Sequence, residues 1–517
     1  MRSIAFGICL STLAAAAALA ERINHEGRIL GPEPVVTVPT LFNTPAADAM
    51  VAAMQIMPVD SAWNEDISAR PIRTDSATMI AQIKADLSAS RQKLRPFYEM
   101  NYVLVPTNHP RVPINLFNYA DESDLDGGSG TIGMYPIAGN LPVETWPRET
   151  GSLTLDQWQR DINNEGGDRH SIMVDPAAGS IWETWLTRLV GSNWEASNGA
   201  KFNLNSNALR PAGWTSGDAA GLPMFPALVR YDECERGKVE HALRLVVAKT
   251  RREYIYPATH YASSIPATST QYPAMGQRLR LKSNFVVPAN WTKQEKAVLF
   301  ALKKYGAIVA DNGGFFSVSV CPDERFPSNA FNNLSTIDIN NFEVVQTTGA
   351  ASGPRTPGAP SVNAGADVTV QFSNSVNLEG TISDPSGTAA VHWNQYSGPG
   401  VVTFADASQW QTSATFSAPG LYTLILSAAD GLHPVAYDAV VIRSVPRVSA
   451  DVSGNDFVIT FATVVGQQYR VEQSGELPAL QWSIVADNIN GTGADIPVTD
   501  FGAVSGAPRF YRVVVLP

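Results

Sequence analysis

Apolar residues recur along this chain in short runs broken by Gly, Pro, Asn, Asp and Ser, the pattern of strands joined by turns. Such runs cover 170–174, 181–185, 227–231, 241–248 and 252–256. Two stretches carry a helical period instead. From Ser76 to about Leu94, with Ser76 as N-cap, Met79, Ile80, Ile83 and Leu87 fall on one face. From Thr292, with Glu295 completing a capping box, Val298, Leu299, Leu302 and Tyr305 form the apolar face, and Gly306 ends the helix as a left-handed C-cap. Beyond it, 307–310 and 315–320 flank Asp311-Asn312-Gly313-Gly314, the residue chemistry of a tight β-hairpin.

The pattern also divides the chain. A run rich in Thr, Gly, Ala, Ser and Pro over 348–359 cannot build a core and reads as a linker. Before it, 21–56 reads as a loose lead-in ending in a short helix or none, and 57–347 as one large module; after it come modules at 360–445 and 446–517. The fold class expected is mainly β, with a large β-sandwich or jelly-roll-like N-terminal module carrying a few helices, then two small β-sandwich modules.

Composition agrees. At 517 residues the prior is about three domains. The 39 Gly and 35 Pro against only 16% charged residues suit many short strands better than long charged helices. A net charge of -11 without any long basic run repels phosphate backbones and anionic lipid, so nucleic acid and membrane are not expected partners. Residues 1–20, with Arg2, an apolar run and the ending Ala18-Leu19-Ala20, have the layout of a signal peptide, so the expected location is extracellular or periplasmic. In an oxidising compartment Cys234 and Cys321 form either a disulfide or two buried thiols. Nothing in the sequence reads out an oligomeric state.

Two resemblances add to this. Asn363-Ala364-Gly365-Ala366-Asp367, Leu378-Glu379-Gly380, His392-Trp393, Ser397-Gly398-Pro399 and Gly420-Leu421-Tyr422-Thr423-Leu424 resemble a PKD-like immunoglobulin-type repeat over 360–445, which implies a spacer or weak binder. The segment 57–347, with Gly167-Asp168-Arg169-His170, Asn205 to Trp214, Val229 to Glu233, His241 to Arg244 and Pro257 to His260, is similar to a group of secreted bacterial proteins. That resemblance implies a single module and carries no mechanism. The 446–517 module is similar to C-terminal β-modules of secreted bacterial proteins.

Candidate chemistry concentrates in the large module. The long irregular stretch 203–233 has the look of a binding loop, in which Trp214 offers a sugar-stacking face while Asn207 and Arg210 donate to hydroxyls. Asp232 with Asp218 is the expected acid/base pair of a glycoside hydrolase; Glu233 is adjacent, and Asp175 and Glu183 are further carboxylates. On a regular strand Asp232 and Glu233 point to opposite faces, so at most one serves a given cleft. His241 and His260 are grouped with the catalytic candidates, and His170, Arg244 and Tyr254 with those that bind substrate. No tight His spacing marks a metal site, and no Walker A or G-x-S-x-G pattern occurs, so no metal or cofactor is expected. Gly128 to Gly133 fits G-x-G-x-x-G but follows an acidic turn, a chance match in a loop.

The expected function is a secreted carbohydrate-active enzyme, a glycoside hydrolase acting on an extracellular polysaccharide. Two alternatives stay open: a polysaccharide lyase using His, Tyr and Arg, and a non-enzymatic glycan-binding or cell-wall and matrix protein.

Overall fold

The computed structural model describes residues 21–346 and 358–516, except positions 373, 480 and 506. The signal-peptide reading at 1–20 and most of the 348–359 linker lie outside the described residues. The chain is mainly β. By contacts, Asn24–Pro357 and Gly358–Pro517 are separate compact units.

The centre of the first unit is a six-stranded sheet of β1 (Leu94–Tyr98), β2 (Leu243–Val247), β3 (Arg278–Leu281), β4 (Ala307–Asn312), β5 (Phe316–Val320) and β6 (Phe342–Val344), in spatial order β6-β3-β4-β2-β5-β1. It mixes directions: β2 runs parallel to β4 and antiparallel to β5, and β5 runs parallel to β1. β2, β3 and β5 are buried at every residue, as strands covered on both faces must be. A five-stranded sheet, including Ser171–Asp175 and Ser180–Trp185, and a four-stranded sheet complete the unit.

The hairpin expected around Asp311 does not form. β4 and β5 are joined by that turn but do not pair, because β2 lies between them and bonds to both. Local turn chemistry is satisfied while the apolar Leu243, Leu245 and Val247 take the central, fully buried place. Asp311 therefore belongs to a strand and not to a turn.

Both expected helices exist, one with corrected ends. The second spans Lys293–Lys304 with Thr292 as N-cap in a complete capping box, and Gly306 is left-handed at φ 68°. The first is Ser76–Ala85, shorter than expected, with Asp75 and not Ser76 at the N-cap. The Ser76 hydroxyl instead accepts from Val344 N at 2.8 Å, and the Gln92 amide donates to the carbonyls of Lys84 and Leu87 where the helix stops. Two expected strands are absent. Residues 227–231 run from a 3-10 turn into the helix Tyr231–Arg236, and in 252–256 only Tyr254 makes a bridge, to Met275.

The 21–56 segment is no loose lead-in. Phe42, Ala47 and Val51 enter the main core, and Arg325 pairs with Asp48 on the helix Pro45–Ala52. Cys234 and Cys321 are both free and buried, which resolves their reading in favour of thiols.

In the second unit, 360–445 carries sheets of four, three and two strands around Trp393, Leu378, Tyr422, Leu424 and Ile442. Trp393 is core and not ligand-facing: it is 1% exposed. The last module pairs two three-stranded sheets over Phe457, Ile459, Phe461, Tyr469 and Tyr511.

The two ends of the Lys293–Lys304 helix give a test of the packing. A Cβ on Gly306 would lie 2.2 Å from the Leu279 carbonyl oxygen, backbone that cannot give way. Gly306→Ala is expected to lose at least ~2–3 kcal/mol, whereas Thr292→Ala loses the cap and the hydroxyl's bond to the Ala330 carbonyl, about 1–2 kcal/mol. Urea unfolding followed by tryptophan fluorescence ranks the two; equal losses would contradict the packing described.

Candidate functional site

Four neighbouring strands bring one charged row together. β4 supplies Asp311, β2 Arg244 and β5 Ser319, and Glu99 follows the end of β1. A register shift between Leu245 and Val246 leaves Ala310 unmatched and sets Asp311 opposite Val246. Arg244 is the hub: its Nε and Nη2 donate to the two oxygens of Asp218 at 2.9 and 3.0 Å, and Nη2 also donates to Asp311 at 2.9 Å. Nη1 reaches Ser319 Oγ at 3.3 Å and Glu99 Oε1 at 3.5 Å, and the Ser319 hydroxyl donates to that same Glu99 oxygen.

Beside this row, Glu144 Oε2 accepts from the backbone N and Nδ1 of His170, at 3.1 and 2.9 Å. The other ring nitrogen of His170 donates to the Gly217 carbonyl at 2.8 Å. Acceptors on both ring nitrogens favour the imidazolium. Burial opposes that charge, but Glu144 outweighs it and holds His170 up at about 9. Glu144 is lowered in turn, its burial outweighed by His170. Thr145 and Arg169, next to this pair in sequence, have φ of 67° and 49°. A β-branched residue in the left-handed region is strained, and such strain persists where the surroundings over-determine it.

Carboxyl groups outnumber cations here: Glu99, Glu144, Asp218 and Asp311 face Arg244 and His170, a surplus of negative charge that favours retention of a proton. Burial pushes Asp311 up to about 7 although Arg244 pulls the other way, and burial likewise raises Glu99 against Arg244. Glu183, fully buried, is raised to about 7 by the same cause, opposed by the N–H groups of Phe225 and Met224 that it accepts. The side chains of Asp311 and Glu99 keep 24% and 19% of their surface, so neither is sealed from solvent.

Next to the row runs an aromatic strip. The Tyr254, Tyr261 and His260 rings stack in sequence, with centroids 6.3 and 5.8 Å apart, and all three are half-buried. His260 Nδ1 donates to the Ala219 carbonyl at 2.7 Å, and Asn312 donates to the Ala262 carbonyl at 2.7 Å, which ties the strip to the neighbours of Asp218 and Asp311.

The expected residues thus separate into three places. Asp218, Arg244, His170, His260 and Tyr254 gather at the row and its strip. Asp232, Glu233 and His241 form a different, buried cluster. Their strand is a helix, so the alternation argument does not apply, and Arg236 takes Asp232 at 2.6 Å while Arg230 and His241 take Glu233 at 2.7 and 3.1 Å. Glu233 is pushed down to about 2, its burial outweighed by Arg230 and His241. Glu233 is thus a structural ion-pair partner, and Asp232, held by Arg236 in this cluster, is not brought together with Asp218, which sits on Arg244, as the expected acid/base pair would need. Asp218, 1% exposed and bidentate on Arg244, is likewise a positioning group.

The third place is the 203–233 loop, which proves well packed. Arg210 is buried, donating to the carbonyls of Thr215 and Glu122 and to Asp124. Its guanidinium lies 5.5 Å from the Trp214 ring centroid, and Asn207 donates to Asp60. Asn207 and Arg210 line a shallow groove with Trp63, Phe202 and Tyr256, and no carboxylate lines it. Glu99, Glu144, Asp311 and Ser319 escaped sequence reasoning: Asp311 sat in a turn motif, and the others are isolated polar residues.

No group of three or more His, Cys, Asp or Glu suited to a metal ion occurs among the described residues. Among those residues no helix is long and apolar enough to cross a membrane.

Residues 364–443 match a family of PKD domains. That segment is a PKD-like immunoglobulin-type domain. The match spans most of the 360–445 sandwich. No curated protein matches the chain. Among solved structures, the secreted serine protease VesC from Vibrio cholerae is 10% identical with a TM-score of 0.15, over 34% of this chain and 55% of that one. So slight a likeness bears on neither fold nor activity.

Asp311, Glu183 and His170 all bind protons more tightly folded than unfolded. The two carboxyls therefore contribute stability below their unfolded values, ~4, that is lost as pH climbs to about 7. His170 contributes below its model value of 6.5 and loses this as pH climbs through about 9. The urea midpoint should accordingly fall between pH 6.5 and 9.5, and His170→Gln should flatten that fall. An unchanged slope in the variant would remove His170 as its source.

Proposed function

We propose that the unit 24–357 is a glycoside hydrolase acting on an extracellular polysaccharide, exported by the leader at 1–20, with Asp311 as general acid and Glu99 as base. The observation that carries this reading is two part-exposed carboxyl groups on one guanidinium, with Asp311 retaining its proton near neutrality. A shared guanidinium keeps the two no farther apart than the widest acid/base pairs of glycoside hydrolysis, ~9.5 Å.

In this reading Asp311 gives its proton to the glycosidic oxygen as the C–O bond breaks, and Glu99 takes a proton from the water that attacks the anomeric carbon. Ser319 and Arg244 fix the Glu99 carboxyl, and Asp218 fixes Arg244. The strip of Tyr254, Tyr261 and His260 offers stacking faces for sugar rings beside the reacting bond.

The lyase alternative fares worse, because it needs an arginine free to neutralise a uronate. Arg244 is engaged by Asp218 and Asp311, and the surplus of carboxyl groups repels a uronate. Binding without turnover has one observation in its favour, the aromatic and amide groove at Trp63, Phe202, Asn207 and Tyr256. The PKD-like domain serves as a spacer.

The full chain, incubated with neutral and uronic polysaccharides, should release new reducing ends without the absorbance of unsaturated products. Asp311→Asn and Glu99→Gln should each lower kcat by ~10²–10⁴ with the fold retained, and Asp232→Asn should leave turnover unchanged. Unsaturated products would point to the lyase, and retained binding without any cleavage to the binding-only reading.

A further inference from the structure

β1 is an edge strand of the six-stranded sheet, and its side chains alternate between the two faces. Leu94 is buried in the main core. Arg95, exposed, and Phe97, half-buried, take the other face, which Glu99 continues past the end of the strand. The register carries that face across the sheet: Arg95 stands beside Ser317 on β5, Ser317 opposite Val246 on β2, and Val246 beside Asp311 on β4. Arg95 and Asp311 therefore end one line across four strands, ~14 Å long at the usual strand spacing. Between them lie only the short, buried side chains of Val246 and Ser317.

A cationic patch occupies the Arg95 end of that line. The Arg91 guanidinium lies 4.3 Å from the Phe315 ring centroid, and that of Arg95 lies 5.9 and 6.0 Å from the Phe315 and Phe97 centroids. The two phenyl rings meet edge to face at 5.1 Å. Arg91 Nη1 donates to the Gly314 carbonyl at 3.2 Å, within the turn that follows Asp311. Among the described residues neither guanidinium forms an ion pair. Asp338, bridged to Lys93 just before β1, is already held by Lys84 at 2.7 Å. A guanidinium over an aromatic ring keeps its N–H donors free in its own plane, where they suit a carboxylate or sulfate. Two such groups side by side, in a chain of net charge -11, form a local site for an anion.

We propose that this patch is the subsite for an acidic sugar residue of the polymer cleaved at the Arg244 row. The substrate is then an anionic polysaccharide whose carboxylate or sulfate groups meet Arg91 and Arg95 while a neutral residue occupies the scissile position. The two ends of the line select opposite charges. The carboxyl surplus around Glu99 and Asp311 disfavours an acidic ring at the breaking bond, and the unpaired guanidinium groups favour one farther along the chain. The cleavage role rests on the hydrolase reading; the binding of an acidic glycan does not.

Titration calorimetry of the full chain carrying Asp311→Asn, at low salt, tests this with oligomers of similar length: hyaluronan for carboxylate, carrageenan for sulfate, chitin as the neutral sugar and polyglutamate as the acidic peptide. At least one acidic oligosaccharide should bind about tenfold or more tightly than chitin or polyglutamate, and which of the two does so separates carboxylate from sulfate. Arg91→Gln and Arg95→Gln, both at exposed positions, should each weaken that binding by roughly tenfold, the value of one charge-assisted hydrogen bond. Lys282→Gln, an equal loss of charge beyond the end of β3, should leave it unchanged. No binding of either acidic oligosaccharide, equal affinity for chitin or polyglutamate, or equal weakening by Lys282→Gln would overturn the proposal, as would arginine variants that bind like the parent. Turnover by the unsubstituted chain separates this from the hydrolase reading. Arginine-dependent binding without any cleavage would sink the hydrolase and keep the acidic-glycan site. Cleavage of acidic polymers at an unchanged KM in both arginine variants would keep the hydrolase and sink the subsite.

Discussion

The buried guanidinium of Arg244 is the constraint around which the first unit is arranged. Removing such a charge from water is affordable only where carboxylates and hydroxyls replace the solvent on every donor. Asp218, Asp311, Ser319 and Glu99 do this from a loop and three neighbouring strand positions, so the ion pairs also fix how β4, β2, β5 and β1 lie side by side. The same arrangement overshoots in negative charge. Protons held back by the surplus turn a structural solution into a place where acid/base chemistry becomes available.

The sequence made some of this legible and hid the rest for physical reasons. The Lys293–Lys304 helix was readable because its cap, its apolar face and its terminal glycine are all local. The PKD-like segment was readable because its turn motifs recur at fixed places. The hairpin at Asp311 was misread because turn residues report only the turn; which strand fills the space between two others depends on the burial of Leu243, Leu245 and Val247, a non-local matter. Arg244, Asp218, His170, His260 and Tyr254 were picked out as residue types and do gather. Glu99 and Glu144 carry no motif, and only the folded sheet brings them in.

Asp232 and Glu233 show the opposite error. Adjacent acidic residues look like chemistry in a sequence, yet Arg230, Arg236 and His241 neutralise them within a single helical turn and the bend that follows. Their work is to anchor the helix Tyr231–Arg236 beneath the N-terminal segment, which Glu240 and Arg28 then tie down. What looked like a lead-in is an integral wall of the unit.

The two thiols have a practical consequence. Cys234 and Cys321 are buried and unbonded, and burial raises both above the usual thiol range. Thiolate, the species that oxidants and alkylating agents attack, is therefore scarce at either position. Cys234 and Cys321 are not cross-linked, so neither packs into the described fold as half of a disulfide.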